Sequence, residues 1–180
     1  LEMVLAGKLT QGTDADVVVV GSGIAGISSA YFLEKAGFKV AVLEEGKLCS
    51  GATHYSSGVL YFGTGLNFQD AQKLWGTEKS RYLWDETKKS IDQIVGLVRE
   101  NKWEAGLHSP GSILVARNAQ EKEYLEAEAK AMESFGYPGE LLEASQIREF
   151  YSGTSFVSGL AQPVCHQVRP PLFVSALAKS

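Results

Sequence analysis

Gly21, Gly23 and Gly26 stand at the spacing G-x-G-x-x-G, and Glu44 follows Gly26 at roughly the 20-residue interval that dinucleotide sites leave before an acidic side chain. In such a loop the first glycine permits a sharp turn and the second lets the backbone approach a pyrophosphate. The third allows the following helix to lie close on the preceding strand. Amides from Ser22 through Ile24 and Ala25 to Gly26 would open that helix, where the helix dipole favours negative charge. A carboxylate at Glu44, with Glu45 beside it, can accept hydrogen bonds from the two hydroxyls of an adenosine ribose. The plainer reading of the same residues is a glycine-rich turn that packs tightly and binds nothing.

These residues need a frame, and the sequence around them supplies one. Val17 to Val20 is a continuous β-branched run, too short for a helix and too apolar for a half-exposed strand, so a buried parallel strand is expected. Ile27, Ala30, Tyr31 and Leu33 to Ala36 carry a helix as far as Gly37, a residue suited to the left-handed backbone at a helix C-terminus. Val40 to Leu43 reads as the second strand, ending at Glu44. Strand, glycine loop, helix, second strand and acid in this order favour dinucleotide binding over the plainer reading.

A second stretch, Cys49 to Gly63, is dominated by small residues, and taken alone it could be an ordinary turn. Gly51, Ala52, Ser56, Ser57 and Gly58 offer backbone that a flat or anionic ligand can approach. Taken with the glycine loop and Glu44, it resembles the FAD-binding opening of the D-amino-acid oxidase-like superfamily, which includes sarcosine, glycine and dimethylglycine oxidoreductases. The resemblance implies that Gly51, Ala52 and Thr53 lie toward the pyrophosphate, and Ser56, Ser57 and Gly58 toward the isoalloxazine. Some members attach FAD covalently through a histidine three residues before this glycine. Tyr55 occupies that place here and His54 stands one position early, so the expectation is a polar residue lining or neighbouring the cofactor.

From Asn67 the pattern changes. Gln69 to Asn101 carries apolar residues at helical spacing, among them Leu74, Trp75, Leu83, Trp84, Ile91 and Val95, interrupted at Gly76 and Thr77; a short helix and then a long one are expected. Trp75, Tyr82 and Trp84 are expected in the core. Ser112 to Arg117 reads as a strand. Asn118 is a candidate N-cap for a helix from Ala119 to Phe135 with a solvated acidic and basic face, and Ser145 for a short helix through Phe150. Thr154 to Val164 is again strand-like, and Pro170 and Pro171 suit the first turn of a last helix. This series resembles the first part of the same superfamily's substrate domain, a mostly antiparallel sheet laid over the flavin.

The expected fold class is therefore α/β, a Rossmann-type βαβ unit followed by the first part of an α+β substrate domain. The expected division is an extension over 1–15, the start of an FAD-binding domain over 16–66, the first part of a substrate domain over 67–165 and a return toward the nucleotide domain over 166–180. The resemblance covers roughly the first half of a member. It implies that the remainder of a longer polypeptide, or a complementing chain, completes the protein, and that these residues alone are not a competent enzyme.

Composition narrows the partners. A net charge of −4 without a basic block argues against nucleic acid, and no apolar run reaches the ~18 residues of a membrane span. Cys49 and Cys165 fit neither metal nor redox spacing and are compatible with a reducing, cytoplasmic setting, an organelle remaining the alternative. No metal site is expected. The resemblance implies FAD as cofactor, and hydride transfer from the carbon beside the nitrogen of a small-molecule amine or amino acid. No catalytic acid or base can be named. Arg169 could pair with a substrate carboxylate, against the reading of an exposed charge at a helix start, and His108 and His166 read as structural. Another flavin enzyme of the same fold, such as a glycerol-phosphate dehydrogenase relative, and a non-catalytic flavin-binding module are the alternatives.

Overall fold

Two short strands joined by a helix form the start of the chain in a computed structural model, which describes Gly12, residues 14–153 and residues 155–180. Most of the expected 1–15 extension, and Thr154 at the head of the expected last strand, lie outside the described residues. The chain divides into two compact units, one formed by Leu1–Val59, Leu97–Leu107 and Val168–Ser180, the other by Leu60–Gly96 and His108–Gln167.

In the first unit, β1 (Val17–Val20) and β2 (Val40–Leu43) pair in parallel, with Val17 opposite Val40 and Val20 opposite Leu43. The crossover is α1 (Ile24–Lys35), which buries Ile27, Ala30 and Tyr31 and ends at Ala36, with Gly37 at φ +92° as the glycine pattern requires. The expectation of a buried β1 fails on one face: Val18 is 56% and Val20 84% exposed. A parallel strand is buried only when both faces of its sheet are covered, and in this two-stranded sheet the side chains of Val18 and Val20 have no cover among the described residues. The last helix of the chain, α6 (Pro170–Lys179), packs on α1 and buries Phe173, Val174 and Leu177. Its prolines sit in the first turn, where a missing N–H costs no helical bond.

The second unit holds α2 (Phe68–Trp75) and α3 (Thr77–Glu100), the latter as far as Gly96. A three-stranded antiparallel sheet follows, in the order β4 (Ser112–Ala116), β6 (Ser158–Gln162), β5 (Glu140–Glu143). The connections are α4 (Ala119–Glu133) and α5 (Ala144–Phe150). A smaller pair joins β3 (Val59–Tyr61), which enters this unit at Leu60, to β7 (Cys165–Gln167). The core is aromatic, with the Phe68 ring 5.1–5.2 Å from those of Trp84, Phe135 and Tyr137 in edge-on packing.

Three details depart from the sequence-based expectations. Tyr82, expected inside, is 64% exposed, and so is Leu74, because both lie on the polar side of their helices. The short helix α5 is capped by Glu143, which forms a reciprocal capping box with Gln146, and Ser145 falls inside it. The face of α4 is not uniformly solvated: Glu128 is only 2% exposed. Its carboxylate accepts the amides of Phe68 (2.6 Å) and Gln69 (2.9 Å), capping α2, whose own N-cap residue Asn67 makes no side-chain cap. Asn118 caps α4 as expected, accepting the Glu121 amide at 2.9 Å.

Candidate functional site

The glycine loop lies at the end of β1, in the first unit. The Gly21 amide donates to the Leu43 carbonyl at 2.7 Å, extending the strand pair by one bond, and Gly21 then turns at φ +96°. An L side chain is strained there. At Gly26 the constraint is contact: a Cβ would stand 2.0 Å from the Gly21 carbonyl oxygen, so only glycine lets α1 start this close to the strand end. Gly23 is the N-cap of α1 and offers no side-chain acceptor to the first-turn amides. One of those amides, from Ile24, donates to Thr53 Oγ1 at 3.1 Å; the helix start otherwise presents donors of the kind an anion satisfies.

Glu44 stands beside this loop and is held there. Its Oε2 accepts both the Ser22 amide (2.8 Å) and the Ser22 hydroxyl (2.6 Å), and its Oε1 accepts the Gly46 amide (2.8 Å). The hydroxyl of Ser22 and then the two amides hold the carboxyl below the usual carboxylate range, so it is ionised at neutral pH. The Glu45 amide adds a smaller pull, and because the carboxylate is exposed it stays open to a further hydroxyl. Glu45 follows it, exposed, at the same strand end.

The small-residue stretch Cys49 to Gly58 is anchored at both ends. The Cys49 amide donates to Ser22 Oγ at 3.1 Å, and Cys49 itself adopts φ +59°, with burial pushing its thiol pKa up. Gly51 then starts a short 3-10 helix, Ala52–Tyr55, and a Cβ at Gly51 would have open space around it. His54 and Tyr55 are exposed with their rings 5.2 Å apart, edge to face. Ser56 Oγ accepts the Gly58 amide at 3.3 Å, and Ser57 is exposed. Gly58 has its own reason to be glycine. A Cβ there would meet the Val168 carbonyl oxygen at 2.0 Å, and the Val168 amide donates to Gly58 O at 3.0 Å.

The structure thus brings Gly21 to Gly26, Glu44 and Thr53 together in one unit, with the rest of the 49–58 stretch continuing from them. Arg169 is exposed with its side-chain stem against Gly106, and its amide bonds Ala105 O at 2.8 Å. His166 Nδ1 lies 2.8 Å from Ser109 Oγ, and the His108 and Gln167 backbones exchange two 2.8 Å bonds. Sequence reasoning gave the serine between the first two glycines no role beyond its amide; nothing in the motif signals that its hydroxyl reaches Glu44. A surface cavity of about 420 Å³ in the same unit, lined by Lys102, Trp103, Leu172, Ser175 and Lys179, shares no residue with the loop. Among the described residues no three His, Cys, Asp or Glu side chains form a metal-binding group, and no helix is long and apolar enough to cross a membrane.

The residues fit the adenosine diphosphate end of a dinucleotide: a glycine at 21 where an L side chain is strained, a glycine at 26 where a Cβ would clash, open helix amides, and an exposed, ionised carboxylate. Comparison with known proteins agrees with that chemistry. Residues 16–180 match the family model described as FAD dependent oxidoreductase. Gamma-glutamylputrescine oxidoreductase of Escherichia coli is 29% identical over 84% of this chain and 36% of its own length. The mitochondrial dimethylglycine dehydrogenase of Homo sapiens is 28% identical over 91% of this chain and 18% of its own. Among solved structures, glycine oxidase from Bacillus cereus superposes with a TM-score of 0.71 at 25% identity, covering 92% of this chain and 43% of that one. The chain spans less than half the length of each of these relatives.

Proposed function

Because this chain belongs to the FAD dependent oxidoreductase family, we propose that it forms the ADP-gripping part of a flavoenzyme that oxidises a small amine or amino acid. The observation that carries the reading is Glu44, an ionised carboxylate pinned beside a glycine turn that tolerates no side chain at Gly26. In this reading the first-turn amides of α1 hold the pyrophosphate and Glu44 receives a ribose hydroxyl. Gly51, Ala52 and Thr53 extend the phosphate side, while His54, Ser56, Ser57 and Gly58 run on toward the isoalloxazine. FAD held there would supply a hydride acceptor for the carbon beside the substrate nitrogen. The chain's own work is binding and orientation, with the turns at Gly21 and Gly58 setting the course of the backbone on either side of the cofactor.

The names of the relatives, a putrescine derivative in one and glycine and dimethylglycine in the others, support an amine or amino acid as the substrate class. The bare face formed by Val18 and Val20 supports a further stretch of polypeptide as the partner that covers it. The test is to express the longest polypeptide the reading frame encodes and record its visible spectrum. Oxidised-flavin bands that bleach on anaerobic addition of sarcosine, dimethylglycine, glycine or a D-amino acid support the proposal. Bands that bleach only with glycerol phosphate move it to that substrate class, bands that bleach with none of these leave a flavin-binding module, and a colourless protein that takes up no FAD overturns it.

A further inference from the structure

We propose that Ser22 is the positioning residue of the nucleotide site: its hydroxyl aims the Glu44 carboxylate and ties the 49–58 stretch to the glycine turn. The inference rests on the FAD reading above. The direction of each bond is fixed by chemistry. The Cys49 N–H can only donate, so the lone pair of Ser22 Oγ receives it at 3.1 Å. The hydroxyl proton is then free to go to the carboxylate, and it does so at 2.6 Å. Ser22 is 3% exposed and its bond from the Cys49 amide is buried, while Glu44 itself faces solvent.

The Ser22 and Gly46 amides, one on each oxygen, set the plane of the carboxylate, and the hydroxyl adds a second bond on Oε2 that strengthens this hold. A carboxylate held in one orientation suits recognition of a ribose hydroxyl. An alanine at position 22 leaves the turn intact, because the turn is made by Gly21 and Gly26, and removes this hold together with the acceptor of the Cys49 amide. The same hydroxyl holds the Cys49 amide, so the two halves of the proposed site share one atom.

The test compares wild type, Ser22→Ala, Glu44→Gln and the double variant by FAD titration of the apoprotein, followed by flavin fluorescence across pH. Ser22→Ala is expected to weaken FAD roughly tenfold, the range for a hydrogen bond to a charged group. In the Glu44→Gln background the same change is expected to cost less than about threefold, because the group Ser22 positions is gone. The acid limb separates aim from general damage. Wild-type affinity is expected to hold until the pH falls below about 4.3, the ordinary glutamate value, and in Ser22→Ala the loss begins at higher pH. A uniform loss at all pH values, or an equal loss in the Glu44→Gln background, overturns the positioning role while leaving FAD binding in place. If Ser22→Ala does not fold, Ser22→Cys, close in size but a much weaker donor, takes its place, and affinity and acid limb equal to wild type overturn the proposal. Wild type that binds no FAD overturns the functional reading and this one with it, even if carbon-13 titration of the Glu44 carboxyl finds it depressed.

Discussion

Removing the Glu128 carboxylate should loosen the second unit at the start of α2, and the structure sets the size of the effect. Two amides lose their acceptor in Glu128→Ala. That of Phe68 is buried, with the residue itself fully inaccessible, and an orphaned buried N–H costs about 1–3 kcal/mol. That of Gln69 is part-buried and can turn to water, so its loss adds about 0.5 kcal/mol. Relief of a buried charge subtracts from the sum. The net expectation is about 2 kcal/mol, or roughly 4–8 °C in Tm for a protein of this size. Glu128→Gln keeps the shape and one good acceptor and should stay within about 1 kcal/mol of wild type. Its pH dependence is the sharper test. Burial raises the Glu128 pKa against the opposing pull of the two amides; Asp70 also raises it, and Lys73 lowers it. A carboxyl whose folded pKa is raised contributes stability that is present below its unfolded pKa and lost as pH rises through the folded one. The Gln variant carries no such titration, so its stability relative to wild type should climb with pH from about 4.3 upward. Urea unfolding of the three proteins at several pH values measures this. A relative stability of Glu128→Gln that falls with rising pH would mean that the amides outweigh burial, and the reasoning would be refuted.

Other outcomes follow from single contacts. Gly26→Ala places a Cβ 2.0 Å from backbone oxygen, so α1 must shift; loss of about 2–4 kcal/mol and of bound FAD is expected, read by thermal melting and flavin retention. Gly58→Ala meets the Val168 carbonyl at the same 2.0 Å with φ at +70°, and should destabilise at least as much by the same measurement. Asn118→Ala removes the side-chain cap of α4 and should cost about 1 kcal/mol in urea unfolding with flavin binding unchanged. Flavin should leave with the supernatant when the protein is precipitated by acid, because Tyr55 stands where the superfamily's attaching histidine would; a yellow pellet would show that His54 or another residue forms the bond.

The βαβ unit was legible because each of its parts carries a local signal. Valines at 17–20 and 40–43 make strands, Gly37 stops a helix, and the glycine spacing states a turn whose backbone admits no substitute. Asn118 and the Pro170-Pro171 pair were equally plain, since capping depends on neighbours in sequence. Glu128 was not legible. On α4 it reads as one of several solvated glutamates, and only the approach of α2 from 60 residues away in the chain turns it into a buried cap. The exposure of Val18 and Val20 was hidden for the opposite reason: an apolar strand announces that it can be buried, and what covers it is decided elsewhere.

What the sequence determined alone was the local frame of the βαβ unit: the glycine turn, the helix that Gly37 stops, and the acid that follows the second strand. These depend on steric limits and on bonds between residues a few positions apart. Tertiary structure alone decided which way the acid faces. Ser22, Glu44, Gly46 and Cys49 converge only once β1 and β2 lie side by side, and the hydroxyl that fixes the carboxylate belongs to a position the glycine motif leaves open. A hydrogen bond over 22 residues of separation has no signature in the local pattern, because its geometry is supplied by the pairing of the strands that carry its two ends.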